Sequence, residues 1–354
     1  MRRATLSRWM MSAALIPLLT AAWGQEASRP KGIPRNALYL PVTSKTVAWG
    51  YYWSESKPVM HMRAGETIVV DTLITSSPTG LGRGGVPPEK IEPELKEVYA
   101  NYPAEAKGPG GHILTGPIYV DGAEPGDTLA VHIEKIDGRI DYAYNGLSGF
   151  LREDFQGVRH MRIIPLDWKT MTAHFAPGID VPMHPFFGSI GVAPPPDVGR
   201  HSSVPPDMMG GNMDNKDLVA GTTIYFPVFV PGALLEVGDG HAGQGDGEVD
   251  QTAMETSLRG TFRVEVIKGT GQKYPRAETP TQFISMGFDP DLTKATKLAI
   301  EQMIDFLSST KGMSKADAYQ LISVAGDVHD TELVDQSLGV HVLVPKAIFR
   351  ATDH

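Results

Sequence analysis

A mainly β fold, arranged as a sandwich with a smaller α+β portion at the C-terminal end, is what this sequence predicts. Three observations lead there. Short runs rich in β-branched and aromatic residues are punctuated by 38 glycines and 28 prolines without a fixed period, the mark of many strands and irregular connections and not of a repeat array. A turn followed by a strand recurs at Ala64 to Val70 and at Pro125 to Val131, as two equivalent edges of one sandwich would. Sustained helical periodicity is confined to the part after Asp289. With 354 residues, 41% of them hydrophobic, the chain can bury a full core, and with no cysteine it does so without disulfides.

In chain order, residues 1–24 read as an export leader. Arg2, Arg3 and Arg8 form a positive start, Trp9 to Ala22 is an apolar run too short to span a bilayer, and Ala22-Trp23-Gly24 offers small residues for cleavage. A periplasmic or secreted protein beginning near Gln25 is expected, with a membrane anchor as the competing reading. Strands are expected at Lys45 to Tyr52, Pro58 to Met62 and Ile68 to Leu73, the last carrying Asp71 near its end. Residues 76–111 read as a long loop, weakly helical only over Ile91 to Tyr99. Strands follow around Ile113 to Val120 and Thr128 to Ile133, and a buried one within His184 to Pro195. Tyr225 to Val230 and Ala233 to Val237, separated by Pro231-Gly232, read as two tightly joined strands. After a strand at Thr261 to Lys268, a helix is expected with Asp289 as its cap and Pro290 in its first turn. Its apolar face is Leu292, Ala295, Ala299, Met303 and Phe306, and Gly312 ends it. A second helix starts at a Ser314/Asp317 cap and runs to about Ala325, and His341 to Phe349 closes the chain as a strand. The division expected is a leader over 1–24, a sandwich bearing the site over 25–280, and a C-terminal α+β region over 281–354 packed on it.

The net charge of −9 argues against nucleic-acid partners, which need a basic surface. The chemistry concentrates where the hydrophobic run after Val237 stops. Gly238 to Glu248 holds five glycines with Asp239, His241, Gln244, Asp246 and Glu248 among them. A backbone free to turn, carrying carboxylates, an imidazole and an amide, can gather ligands around a cation. A plain surface turn has the same composition. The spacing of Gly238, Gly240 and Gly243 also spells a dinucleotide fingerprint, rejected because its acids would repel a pyrophosphate and no helix follows. His112, placed after Gly110-Gly111, is a second candidate, and Asp214 in the polar cluster Gly210 to Asp217 a third. Ser148 in Gly146-Leu147-Ser148-Gly149 lacks the spacing of a nucleophile elbow.

The segments GGHILTGPIYVDGAEPGDTLAV from Gly110, HPFFGSIGVAPP from His184, GGNMDN from Gly210 and FPVFVPGALLEVGDGHAGQGDGEVDQTAMETSL from Phe226 together resemble the acetamidase/formamidase family, in order, over roughly residues 45–350. The resemblance implies a jelly-roll-like β-sandwich with an α+β portion, hydrolysis of small carboxamides to carboxylate and ammonia, and a divalent metal in several members. Members with the aromatic segment that here reads Thr46 to Tyr51 tend to carry histidine where this chain has Ala48.

On that basis a small amide is the expected substrate. With no cysteine and no serine elbow, metal-activated water is the expected nucleophile. Zinc is the favoured ion, with calcium as a second, structural one. The ligands expected are Asp71, Asp214 and His241. Glu248 is the expected proton carrier, and Asp239, Gln244 and His112 shape the amide pocket or orient the ligands. A homo-oligomer, dimer or larger, without membrane contact after leader removal, completes the expectation. The competing class is a secreted, non-catalytic protein whose acidic loop holds calcium.

Overall fold

The computed structural model describes residues 29–158 and 160–350, so the expected leader lies outside the described residues. A compact unit begins at Pro34, and the architecture below is that of this unit. Among the described residues the strands form a nine-stranded sheet, an eleven-stranded sheet and a two-stranded ribbon.

The nine-stranded sheet runs Leu38–Leu40, Thr67–Asp71, Leu258–Ile267, Thr128–Gly138, Thr223–Pro227, Arg276–Glu278, Gln282–Asp289, Leu338–Pro345, Asp327–Glu332. The second sheet places Leu235–His241 between Phe186–Gly191 on one side and Glu255–Thr256 and Ile113–Asp121 on the other. From Glu255–Thr256 it continues outward through Tyr142–Gly146, Met161–Asp167, Thr172–Ala176 and Ile179–Pro182. One core draws on both sheets: Ile68, Val131, Phe226 and Phe262 from the first meet Leu114, Phe187, Ile190 and Val237 from the second. Alternation makes this possible, since every second residue of a strand faces the same side. The fold is therefore a mainly β sandwich with helices at its C-terminal end, as the sequence implies.

Those helices, Leu292–Lys311 and Lys315–Ala325, pack on the outer face of the nine-stranded sheet. Ala295, Ala299, Met303 and Leu307 are buried against Phe283, Val340, Val342 and Val344. Small residues on both sides allow close approach: a Cβ on Gly287 would stand 2.3 Å from the Ala295 carbonyl oxygen, and Ser285 Oγ donates to the Ala299 carbonyl oxygen at 2.6 Å.

Several expectations are corrected. Asp291, not Asp289, caps the first helix, its side chain accepting from Lys294 N, so Pro290 lies outside the helix. Leu307 takes the buried position expected of Phe306, which is only partly buried. The long segment 76–111 contains two short helices, Pro78–Arg83 and Pro93–Asn101, each with proline in its first turn. Tyr225 to Val237 is no hairpin: Thr223–Pro227 pairs within the nine-stranded sheet and Leu235–His241 within the other. Pro231-Gly232 thus carries the chain from one layer to the other.

Candidate functional site

Gly238 to His241 is strand, not loop, and fully buried. Its glycines serve packing more than turning: a Cβ on Gly238 would meet the Ile113 carbonyl oxygen at 2.6 Å, and one on Gly240 would meet Leu258 Cγ at 2.7 Å. Asp239 and His241, two residues apart, project to one face. Register then adds Glu255, directly opposite His241 on the neighbouring strand. On the other flank, Gly188 lies between Phe187 and Ser189, which pair with Gly240 and Gly238. Asp214 arrives from the chain after Gly210–Asn212, its amide donating to the Gly188 carbonyl oxygen at 3.2 Å. Glu248 comes from the glycine-rich loop beyond the strand, and is buried too.

His241 is the centre of this group. Gln244 Nε2 donates to the Asp214 carbonyl oxygen at 2.7 Å, which turns Gln244 Oε1 toward His241 Nδ1 at 3.1 Å. Nδ1 therefore carries its hydrogen and donates, leaving Nε2 as the open nitrogen. That nitrogen lies 3.2 Å from Asp239 Oδ2 and 3.2 Å from Glu255 Oε1, yet has no hydrogen-bond partner among the described residues. Asp214 Oδ1 and Glu255 Oε2 are buried without partners as well. The carboxylates have supports on their far sides. Thr75 Oγ1 donates to Asp239 Oδ1 at 2.6 Å, and Asn212 Nδ2 donates to both Asp214 Oδ2 and Asp335 Oδ2 at 2.7 Å.

Four buried acids thus surround one imidazole, with His112 Nε2 a further 3.7 Å from Asp239 Oδ2. Even with both histidines charged, the acids outnumber the cations. Burial and the charge of Glu248 push the Asp214 carboxyl well above its ordinary range. Burial does the same to Glu248, and raises Glu255 against the pull of His241. For Asp239 burial works upward but is outweighed by His112, His241 and Thr75, which hold it below its usual value. Burial would likewise keep His241 neutral, but Glu255 and Asp239 push it well above the usual imidazole range, so Nε2 is where either a proton or a cation is held between them. Buried like charges at these distances need a proton or a cation among them.

A divalent metal fits what is present. An unpartnered imidazole nitrogen, unpartnered carboxylate oxygens and the space at Gly188, where a Cβ would stand 2.4 Å from Asp214 Oδ1 and 2.7 Å from Asp239 Oδ2, make a nitrogen/oxygen cradle. Ligand atoms of Asp239, His241 and Glu255 lie within 4.8 Å of one another, as do those of Asp214, His241 and Glu248. Asp214, Asp239 and Glu248 all hold positive φ, at 44°, 52° and 42°. Non-glycine residues in that region cost on the order of 1–3 kcal/mol each, strain that concentrates at functional sites.

The structure brings Asp214, Asp239, His241, Gln244, Glu248 and His112 together, as the sequence reading grouped them. It does not bring Asp71. That carboxylate makes a two-point pair with Arg259, Nε at 2.6 Å and Nη2 at 2.8 Å, and accepts from Tyr39 Oη at 2.8 Å. With both oxygens engaged, Asp71 ties the Thr67–Asp71 and Leu258–Ile267 strands together and is not among the grouped ligands. Gln244 is occupied at both ends of its amide and acts as a positioning residue. His112 Nδ1 donates to the Ser203 carbonyl oxygen at 2.9 Å. Glu255, Asn212, Asp335 and Gly188 were not anticipated as site residues. Glu255 had a local signal, an acid closing the same stretch, whereas Asp335 stands 121 residues from Asp214 with no motif around it.

Gln244 and Glu248 also line a cavity of about 1090 Å³, which opens beside the strands Met161–Asp167 to Ile179–Pro182. Through Gln244 and Glu248 the buried group borders this cavity.

A β-sandwich holding a buried histidine ringed by carboxylates beside an open cavity has the form of a candidate metal site on a binding cleft. The sequence model of the Acetamidase/Formamidase family matches residues 105–203 and 197–351, and the chain belongs to that family. It is 30% identical over 234 residues to an acetamidase of Mycolicibacterium smegmatis, covering 48% of this chain and 57% of the relative. To a formamidase of Methylophilus methylotrophus it is 31% identical over 221 residues, covering 46% and 53%. The chain spans about half the length of the curated relatives it matches. The crystal structure of an acetamidase from Yersinia enterocolitica superposes with a TM-score of 0.74 at 28% identity, over 90% of this chain and 96% of that one.

Proposed function

We propose that this protein hydrolyses carboxamides to a carboxylate and ammonia at the His241 site. The observation that carries the proposal is His241 Nε2, an open nitrogen held between two buried carboxylates 3.2 Å away, in a chain of a family whose named relatives are an acetamidase and a formamidase. His241, through Nε2, with Asp239 and Glu255 would hold a divalent metal, Asp214 standing beside them, with zinc in preference since the shell mixes nitrogen with oxygen. When bound, such an ion polarises a carbonyl oxygen and makes water more acidic.

The chain's own residues do the rest. Gln244 fixes the His241 tautomer, and Asn212 and Thr75 fix the carboxylates, so the donor atoms are set before substrate arrives. Glu248 stands between this group and the cavity, its carboxyl raised well above the ordinary range by burial, so it can hold a proton at the mouth of the site and pass it on. Glu248 takes a proton from the attacking water as its oxygen bonds to the carbonyl carbon. It returns the proton to nitrogen as the C–N bond breaks, releasing ammonia. His112 Nε2, 3.7 Å from Asp239 Oδ2, helps hold that carboxyl below its usual range and orients it from the opposite side.

Glu248→Gln tests this assignment. Ammonia release should fall by about 10²–10⁴-fold, the usual cost of losing a general acid and base, while metal content and melting temperature stay close to wild type. Loss of metal in this variant would move Glu248 into the ligand set, and unchanged turnover would remove it from the mechanism. The leader-like residues 1–24 support export, with a mature chain from about Gln25; N-terminal sequencing that returns Met1 from soluble protein would contradict it.

A further inference from the structure

The cavity beside Glu248 is far larger than formamide or acetamide requires. At about 1090 Å³ it reaches the upper end of sites that enclose drug-sized ligands, about 300–1,000 Å³, whereas acetamide has only four heavy atoms. Its composition is as informative as its size. One wall is apolar: Ile164, Phe175 and Val181 from three successive strands of the outer sheet, with Val249 and Met254 beside the Glu248 loop. Ile164 and Met254 belong to a buried cluster on which Phe175 and Val181 pack, so the wall has fixed backing. The polar wall is acidic. Asp217, Asp246 and Asp250 outnumber Lys216, whose ammonium is held by Asp217 at 3.6 Å and Asp246 at 3.3 Å, while His341 and His329 back those two acids at 3.1 and 3.0 Å.

We infer that this site takes carboxamides with a bulky apolar or aryl acyl group and no negative charge, in preference to formamide and acetamide. The inference rests on the amidase reading above. The amide end meets Glu248 and Gln244, the acyl group lies along Ile164, Phe175 and Val181, and the acidic wall repels an anionic substituent. Apolar walls of this kind reward added carbon: one methylene in a fitted pocket changes discrimination by roughly tenfold or more. Half-buried Phe175 and Val181 stand in strands at the sheet's outer end, so the wall can be altered without touching the His241 group.

The test compares kcat/KM of the metal-supplemented full-length protein for acetamide, 3-phenylpropanamide and succinamate by ammonia release. The expected order is 3-phenylpropanamide above acetamide by about tenfold or more, with succinamate lowest. In Val181→Asp, and independently in Phe175→Ala, the ratio of 3-phenylpropanamide to acetamide should fall by about tenfold, with melting temperature as the check on folding. Acetamide turned over faster than 3-phenylpropanamide, or a ratio unmoved in both variants, would overturn this inference and leave the amidase reading standing. No release from any amide would overturn that reading and the inference with it.

Discussion

Placing a methyl group at residue 188 probes the centre of the site without removing any functional group. Gly188 does not have a left-handed φ, so alanine is allowed by its backbone. Its Cβ, however, would stand 2.4 Å from Asp214 Oδ1, 2.7 Å from Asp239 Oδ2 and 2.8 Å from His241 Cε1. Real carbon–oxygen contacts do not go below about 3.0 Å, so Asp214 Oδ1 alone must retreat by at least about half an ångström. Neither acid is free to move, since Asn212 holds the first and Thr75 the second. Because displacement of about 1 Å at a reacting centre costs about 10²-fold, Gly188→Ala should lose roughly 10–10²-fold in kcat/KM and most of its bound metal. Overpacking of this kind costs about 1–3 kcal/mol, offset in part by the stiffer unfolded chain, so melting should shift by only a few degrees. Ammonia release, metal by mass spectrometry and a thermal melt measure all three. Gly82→Ala, which meets nothing within 4 Å, is the control. Wild-type metal content and turnover in Gly188→Ala would refute the view that the gap beneath residue 188 belongs to the site.

Two further predictions concern acids that the mechanism does not use. Glu332 is fully buried, and burial together with Asp335 pushes its carboxyl from the usual 4.5 up to about 8. Its bound proton therefore stabilises the fold fully below about pH 4.5, and the contribution, at most roughly 4–5 kcal/mol, is lost as pH rises through about 8. Glu332→Gln, which stays neutral, should melt above wild type at pH 9 and close to it at pH 5; an equal difference at both values would contradict the assignment. Asp71→Asn should weaken the pair with Arg259 and cost on the order of 3 kcal/mol, with metal content unchanged. Metal loss in that variant would return Asp71 to the ligand set.

What the sequence disclosed, it disclosed through local signals. Ser314 with Asp317, and Gly312 with its positive φ, mark helix ends in the sequence and in the structure alike. The grouping of Asp239, His241, Gln244 and Glu248 was legible because one stretch carries all four. Their setting was not. Glycines at 238, 240 and 243 read as freedom to turn, but the first two admit neighbouring backbone and side chains closely enough to keep the strand buried. Pro231-Gly232 read as a hairpin turn because nothing local distinguishes reversing a strand from crossing between sheets. Asp71 read as a ligand because its partner, Arg259, is 188 residues away. Glu255, Asn212 and Asp335 acquire their places only through pairing register and long-range contacts, which a linear pattern does not encode.

The central claim is that His241 and its buried carboxylates form a divalent-metal site on which amide hydrolysis depends. The most direct measurement is metal per chain by mass spectrometry, with ammonia release from the same samples, for wild type and His241→Ala. Wild type should carry tightly bound divalent metal and turn over a carboxamide, and His241→Ala should lose both together, because an open site has few ligands to spare. A His241→Ala protein free of metal yet fully active would contradict the account.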